Sequence, residues 1–305
     1  MIPKAEQGGL QRVSATTHAF VQPPGGWCLN NAGVVAGAEA TLLVDTAATY
    51  SRASHLRDAM RANDIRLPRY VVNTHFHGDH CFGNSLFTPE AIVISTTTTR
   101  DLIEASGLDL CSLWPAVEWG PIELETPQVT FEGELRVDLG DTVVSLIEVG
   151  PAHTPSDVVV WQPEDEVLFA GDIVWNGVTP FVLMGSVQGS LETLRQIEQL
   201  SPKTVVPGHG AVAGPEIIAS TRKYLEWCLA IAHDAYARGD TPMVAAQRAR
   251  KNREVPEMLD SERLVANLHR AFSELDGDPL GTVIDIKGPF EDLVRFNGEP
   301  PHCLA

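Results

Sequence analysis

The sequence predicts an α+β chain, and three observations carry that expectation. Short apolar runs broken by turn residues fill residues 13–45, and a helical stretch and a further strand follow the last of them in crossover order. The same order of strands, crossover helix and polar loop returns after Val129, so the chain reads as two similar halves. Beyond Pro215 the apolar spacing becomes three and four, which is helical.

At 305 residues the chain can bury a substantial core as one large domain or a domain with an appendage. A hydrophobic share of 44% and a charged share of 20% are those of an ordinary globular protein. The net charge of −18, from 22 basic and 40 acidic residues, disfavours nucleic acid and anionic membrane surfaces as partners. Five scattered cysteines without a CxxC pair argue for a reducing cytoplasm. The N-terminus has no apolar signal region and no run reaches membrane-spanning length, so neither secretion nor membrane insertion is expected.

Taken in order, residues 18–22, 27–35 and 41–44 read as a β-meander turned by Pro23-Pro24-Gly25-Gly26 and Gly37-Ala38-Glu39. Leu42 to Thr46 is a buried strand ending in a polar pair. Its Asp45 either hydrogen-bonds the loop at residues 73–80 or caps the next segment, and general capping preference favours the cap. Ser51 to Ala62, with Ala53, Leu56 and Met60 on one stripe, is a helix leading back to a strand at 69–74.

That strand runs into Asn73-Thr74-His75-Phe76-His77-Gly78-Asp79-His80, three imidazoles and a carboxylate within six positions. In extended chain His75 and His77 point the same way, because strand side chains alternate. Gly78 lets the backbone turn, which brings Asp79 and His80 to a second position beside the first. Histidine and carboxylate ligands suit zinc, and also iron or manganese.

A strand at 91–95 and a helix at 96–106 follow. The irregular stretch 107–121 carries Trp114 and Trp119, which line a pocket or cover core. In the second half, His153, Asp172 and His209 each lie just beyond a strand, in the runs GPAHTPSD, FAGD and VVPGHG. Trp175, Phe181, Val182 and Met184 follow Asp172 and either wall a flat substrate or plug the core. Ser190 reads as the N-cap of a helix to Leu200. Helices are expected at 216–238, 243–251 and 258–275. Arg248, Arg250, Lys251 and Arg253 form a basic cluster that is either a docking patch or, by preference, a solvated helix face. Among the remaining histidines, His269 is the candidate substrate contact.

The HxHxDH stretch, a distal histidine, a distal aspartate and a final histidine, in that order, resemble the metallo-β-lactamase superfamily. The resemblance implies a four-layer αββα sandwich with a metal site at one end and a helical C-terminal appendage. Residues 1–215 would form the catalytic domain, and 216–305 a helical extension that caps the site or builds a dimer interface. It further implies that His75, His77 and His153 hold one metal and Asp79, His80 and His209 a second, with Asp172 bridging. Two divalent ions are therefore expected, zinc first, with Asp79 and Asp172 as the catalytic carboxylates. Metal ions there would lower the pKa of a water to about 7 and polarise a carbonyl. An aspartate at 172 is similar to thioesterase, lactonase and glyoxalase-type members, and unlike the β-lactamases that place Cys or Ser there.

The runs PGGWCLNNAGVV, VVNTHFHGDHCFGN, GLDLCSLWP, VGPAHTPSDVVVW, LFAGDIVWNGVTPF, GHGAVAGPE, ERLVANLHRA and the terminal CLA resemble cyclases of bacterial aromatic (type II) polyketide biosynthesis. That resemblance implies a cytoplasmic enzyme acting on a partly cyclised poly-β-ketone held by an acyl carrier protein. It would close a ring by aldol condensation and dehydration, with thioester hydrolysis as a further step. A general thioesterase or lactonase is the alternative.

Overall fold

The computed structural model describes residues 8–305. A first sheet runs in chain order through β1 (Gly9–Arg12), β2 (Thr17–Val21), β3 (Ala32–Ala36), β4 (Thr41–Val44), β5 (Tyr70–Val72), β6 (Ile92–Thr96) and β7 (Val129–Phe131). Its first four strands pair antiparallel and the last four parallel. Parallel neighbours need crossovers. Helix α1 (Tyr50–Ala62) joins β4 to β5, the one-turn α2 (Gly78–Cys81) lies between β5 and β6, and α3 (Thr97–Ser106) and α4 (Leu110–Leu113) precede β7.

The second sheet contains β8 (Glu134–Asp138), β9 (Val143–Val149), β10 (Asp157–Gln162), β11 (Val167–Trp175) and β12 (Thr204–His209), in the spatial order β12-β11-β10-β9-β8. Only β11 and β12 are parallel, joined through α5 (Val187–Glu198). Four further helices follow: α6 (Glu216–Ala237), α7 (Pro242–Lys251), α8 (Arg263–Leu275) and α9 (Lys287–Asn297).

Period-two alternation sorts the strand side chains into layers. Leu42, Val44, Val72 and Ile94 of the first sheet meet Val158, Val160, Phe169 and Val206 of the second. Their neighbours Leu43, Val71 and Val93 face outward against Leu56 and Met60 of α1. On the far side Val159, Leu168 and Ala170 pack under α5, α6 and α8. Each fully buried Val or Leu contributes roughly 1.5–3 kcal/mol, so both sheets are held on both faces. This is the expected four-layer αββα arrangement, with the C-terminal helices placed against the second sheet.

Several local expectations change. Residues 27–31 are a loop, not strand: Cys28 takes a φ of +61°, and Asn31 N–H donates to the Gly208 carbonyl at 2.6 Å, stitching the loop to the second sheet. Helix α5 starts three residues before the expected cap. Ser186 is its N-cap, accepting from Gly189 N–H at 2.8 Å, while Ser190 Oγ donates back to the Ser186 carbonyl. Helix α1 is capped by Thr49 rather than Asp45. Helix α9 had no sequence expectation; Gly288 and Pro289 mask its start, although proline is tolerated in a first turn. In the basic cluster, Arg248 pairs with Asp240 at 3.0 Å, and Arg250 donates to the Phe296 carbonyl with its guanidinium 3.4 Å from that ring. Those two arginines brace α7 internally. No helix of the described residues is long and apolar enough to cross a membrane, and the five cysteines are free thiols.

Candidate metal centre

All seven side chains singled out as ligands converge at one end of the two sheets. His75 and His77 follow β5, Asp79 and His80 lie on α2, His153 follows β9, and His209 ends β12. Asp172, expected just beyond a strand, instead sits within β11, which continues to Trp175 past the point where Gly171 at φ +50° interrupts the register with β12. Gly208 is needed for space: a Cβ there would lie 1.9 Å from Asp172 Oδ1.

The ligand atoms form two groups, His75, His77, His153 and Asp172 in one and Asp79, His80 and His209 in the other, with the atoms of each group within 4.8 Å of one another. Asp172 reaches both groups. Its Oδ2 is 3.3 Å from His153 Nε2 and 3.6 Å from His209 Nε2, and its Oδ1 is 3.2 Å from His80 Nε2. Asp79 Oδ2 stands 3.4 Å from His209 Nε2.

A second layer of hydrogen bonds orients four of the rings. Asp45 accepts from Thr74 N–H and Thr74 Oγ1, both at 2.7 Å, and its Oδ2 accepts from His80 Nδ1 at 2.8 Å. With its own proton committed to Asp45, Thr74 Oγ1 accepts from His75 Nδ1 at 3.0 Å. His153 Nδ1 donates to the Phe181 carbonyl, and His209 Nδ1 donates to the Gly25 carbonyl at 3.0 Å. These contacts place the proton on Nδ1 and turn the Nε2 lone pair of each ring to the centre, as outer partners of metal ligands do. Asp45, expected to be a helix cap, is instead the acceptor that holds the metal loop.

Burial and charge prepare the same groups. Burial holds His75 well below the usual imidazole range, helped by the neighbouring His80 and His153. Burial also pushes His77 down to about 3 and His153 down to about 4, so these rings are neutral. Burial opposes ionisation of Asp79, but His80 and His209 outweigh it and hold its carboxyl at about 2. The same contest, won by His209, His80 and His153, keeps Asp172 ionised.

The residues fit divalent metals. His75 Nε2, His80 Nε2 and Asp172 Oδ1 are buried without a hydrogen-bond partner. An unsatisfied buried polar atom costs about 1–3 kcal/mol, and three of them shared between the two ligand groups are explained by ions that complete them. Five imidazoles and two carboxylates form a nitrogen and oxygen donor set compatible with zinc, iron or manganese.

Above the ligands lies an apolar cavity lined by Trp27, Trp114, Trp175, Phe181, Phe290 and Met184, with Arg263 at its wall. Trp175 stacks on His209 with ring centroids 4.7 Å apart and planes 9° apart. The buried Arg263 guanidinium lies 4.0 Å from the Trp27 ring and donates to Asp260 and the Thr179 carbonyl. The cavity is small, about 60 Å³, but Leu113, Met184 and Phe290 also border wider depressions of about 320 to 650 Å³ on the surface side. Trp114, Trp175, Phe181 and Met184 thus stand where the sequence suggested. Trp119 and His269 do not line the cavity. Trp119 packs edge-on to Phe82 and donates to the Trp114 carbonyl, and His269 pairs with Asp292 at 2.8 Å. Val182 belongs to the core against the second sheet. Sequence reasoning missed Trp27, Arg263 and Phe290; the PGGW turn was a faint signal for the first, and the other two arrive from distant helices.

A model of the metallo-beta-lactamase superfamily matches residues 25–209, and the chain belongs to that superfamily. Its members are metal-dependent hydrolases that typically bind divalent ions. The chain is 26% identical over 211 residues to a type 2 metallo-beta-lactamase of Bacteroides fragilis, covering 65% of this chain and 76% of that protein. It is 26% identical over 183 residues to an atrochrysone carboxyl ACP thioesterase of Aspergillus aculeatus, covering 60% of this chain and 51% of the relative. Several relatives are matched over only about half their length. A crystal structure of DIM-1 metallo-beta-lactamase shares the fold at a TM-score of 0.59 and 21% identity, over 73% of this chain and 98% of that one.

Proposed function

We propose that this chain is a dimetal polyketide cyclase. It would take a partly cyclised poly-β-ketone from an acyl carrier protein in the cytoplasm, close a ring by intramolecular aldol condensation with loss of water, and then hydrolyse the thioester. The observation that carries this reading is the aromatic wall of Trp27, Trp114, Trp175, Phe181 and Phe290 set directly over the ligand groups. Such a wall suits flat, conjugated rings.

His75, His77 and His153 would hold one divalent ion and Asp79, His80 and His209 the other, with Asp172 shared between them. When bound, these ions supply Lewis acidity toward carbonyl oxygens and a nucleophile from water at neutral pH. The chain's own contribution is positional. Asp79 and Asp172 are ionised and fix the charge of the centre, and the aromatic wall excludes bulk water from the reacting carbonyls. Because the inner cavity is about 60 Å³, only the reacting edge of a polycycle reaches the ligands, and its body rests in the wider depressions beyond Leu113 and Met184.

Simple thioester hydrolysis, without carbon–carbon bond formation, is the second reading. It is favoured by the name of the Aspergillus relative, a thioesterase acting on a carboxyl ACP, and by an acyl-coenzyme A thioesterase of Bos taurus that is 23% identical over 213 residues. Mass spectrometry of products from a carrier-bound bicyclic intermediate separates the two. A product that has lost one water and gained a ring supports the cyclase. Release of the uncyclised acid alone supports the thioesterase.

A further inference from the structure

Four of the five imidazoles at the centre follow one rule: an oxygen takes the Nδ1 proton, and Nε2 faces inward. His77 breaks it. Its Nδ1 is the inward atom, 2.8 Å from His153 Nε2, and its Nε2 points outward to Met184 Sδ at 3.2 Å. A thioether sulfur accepts and never donates. The contact therefore needs the proton on Nε2, which leaves the lone pair on Nδ1. Met184 holds His77 in the tautomer opposite to that of the other four rings.

The same side chain has a second address. Met184 lines the metal cavity and two of the depressions outside it. An unbranched thioether adapts its shape at small cost, whereas the carbonyls behind His153 and His209 are fixed in backbone. Sulfur is also a weak acceptor. His77 is thus the ring with the softest support, and that support stands between the centre and the surface.

We propose that Met184 is a positioning residue for the first metal position, accepting His77 Nε2–H and so presenting His77 Nδ1 to the ion. The inference rests on the reading of His75, His77, His153 and Asp172 as one metal position, and not on the identity of the substrate. It ties the metal-facing atom of His77 to a side chain that also lines the cavity.

The test uses the full chain stripped of metal and reloaded with zinc. Histidine-ring nitrogen–proton correlation spectra of the loaded protein report the tautomer of each ring and which position is filled. Wild type is expected to show His77 protonated on Nε2 and His75, His80, His153 and His209 protonated on Nδ1. Met184→Leu keeps the volume and removes the acceptor. It is expected to weaken zinc at the first position by about tenfold, the low end for a lost outer partner, with the second position unchanged. Met184→Gln, whose amide oxygen can accept the same proton, is expected to restore binding to within about threefold. An Nδ1–H tautomer at His77, wild-type zinc affinity in Met184→Leu, or equal losses in both variants would each overturn the proposal. Failure of the wild-type chain to take up zinc at all would instead remove the metal reading, and the inference with it.

Discussion

The seven candidate ligand side chains come from the C-terminal ends of three strands, the interior of β11 and one short helical turn. The wall above them draws Trp27, Trp114, Trp175, Phe181, Arg263 and Phe290 from five separate stretches, two of them in the C-terminal helices. The ligands are fixed by backbone and by hydrogen bonds of 2.7 to 3.0 Å to Asp45, Thr74 and the Gly25 carbonyl. The wall is fixed by packing. From that difference it follows that damage to the ligand layer reads out in metal content, whereas damage to the wall reads out in substrate affinity with the metals in place.

The largest expected effect is at Asp172, where the two ligand groups meet. Asp172→Asn should lower thioester turnover on the order of 10³-fold, since a metal's contribution is several kcal/mol and each 1.36 kcal/mol is about tenfold. Wild-type turnover in that variant would break the shared assignment. One layer out, Asp45→Asn removes the charged acceptor behind His80 and Thr74, and should weaken metal binding by about 10–100-fold; a competition titration against a chelator measures it. If metal affinity were unmoved, the support attributed to Asp45 would be packing alone.

On the wall, Phe290→Ala should raise KM about tenfold for an aromatic thioester, the scale of losing one buried apolar contact, while metal content stays at wild type. A drop in bound metal would erase the distinction between the two layers. His269→Gln sharpens it from the other side. Since His269 pairs with Asp292 away from the cavity, KM should stay within about twofold and stability should fall by no more than about 1 kcal/mol, checked by steady-state kinetics and urea melts.

An effect read in stability alone concerns Asp157, which braces the loop carrying His153 by accepting from Thr154 N–H and Oγ1. Burial raises its carboxyl from 3.8 to about 7, against the hydrogen bonds from Thr154. The folded value lies above the unfolded one, so its stabilising contribution is complete below pH 3.8 and is lost as pH rises through 7. Thermal melts should show Asp157→Asn gaining roughly 2–4 °C relative to wild type between pH 5 and 8. A gap that is constant with pH would contradict the raised value.

The ligand layer was legible in the sequence because residue type and position just beyond an apolar run together determine where a side chain must be. The wall was legible only in part. Trp175 and Phe181 follow Asp172 closely enough to be placed by it, but Trp119 and His269 show that an aromatic or imidazole in a suitable segment does not reveal its direction. Asp45 misled because capping the next helix is the local use of an aspartate that ends a strand, whereas its actual partners Thr74 and His80 lie 29 and 35 positions away and meet it only in the folded chain. Trp27 misled because an apolar run reads as strand until Cys28 is seen in left-handed backbone. Met184 was placed at the wall from sequence, yet its contact with His77 spans 107 positions and exists only in the folded chain.

Metal stoichiometry tests the central claim most directly. The stripped wild-type chain, titrated with zinc and followed by calorimetry, should bind two equivalents, and Asp172→Asn should bind no more than one tightly. A wild-type chain that saturates at one equivalent, or an Asp172→Asn chain that binds two as tightly as wild type, would contradict a dimetal centre joined by Asp172.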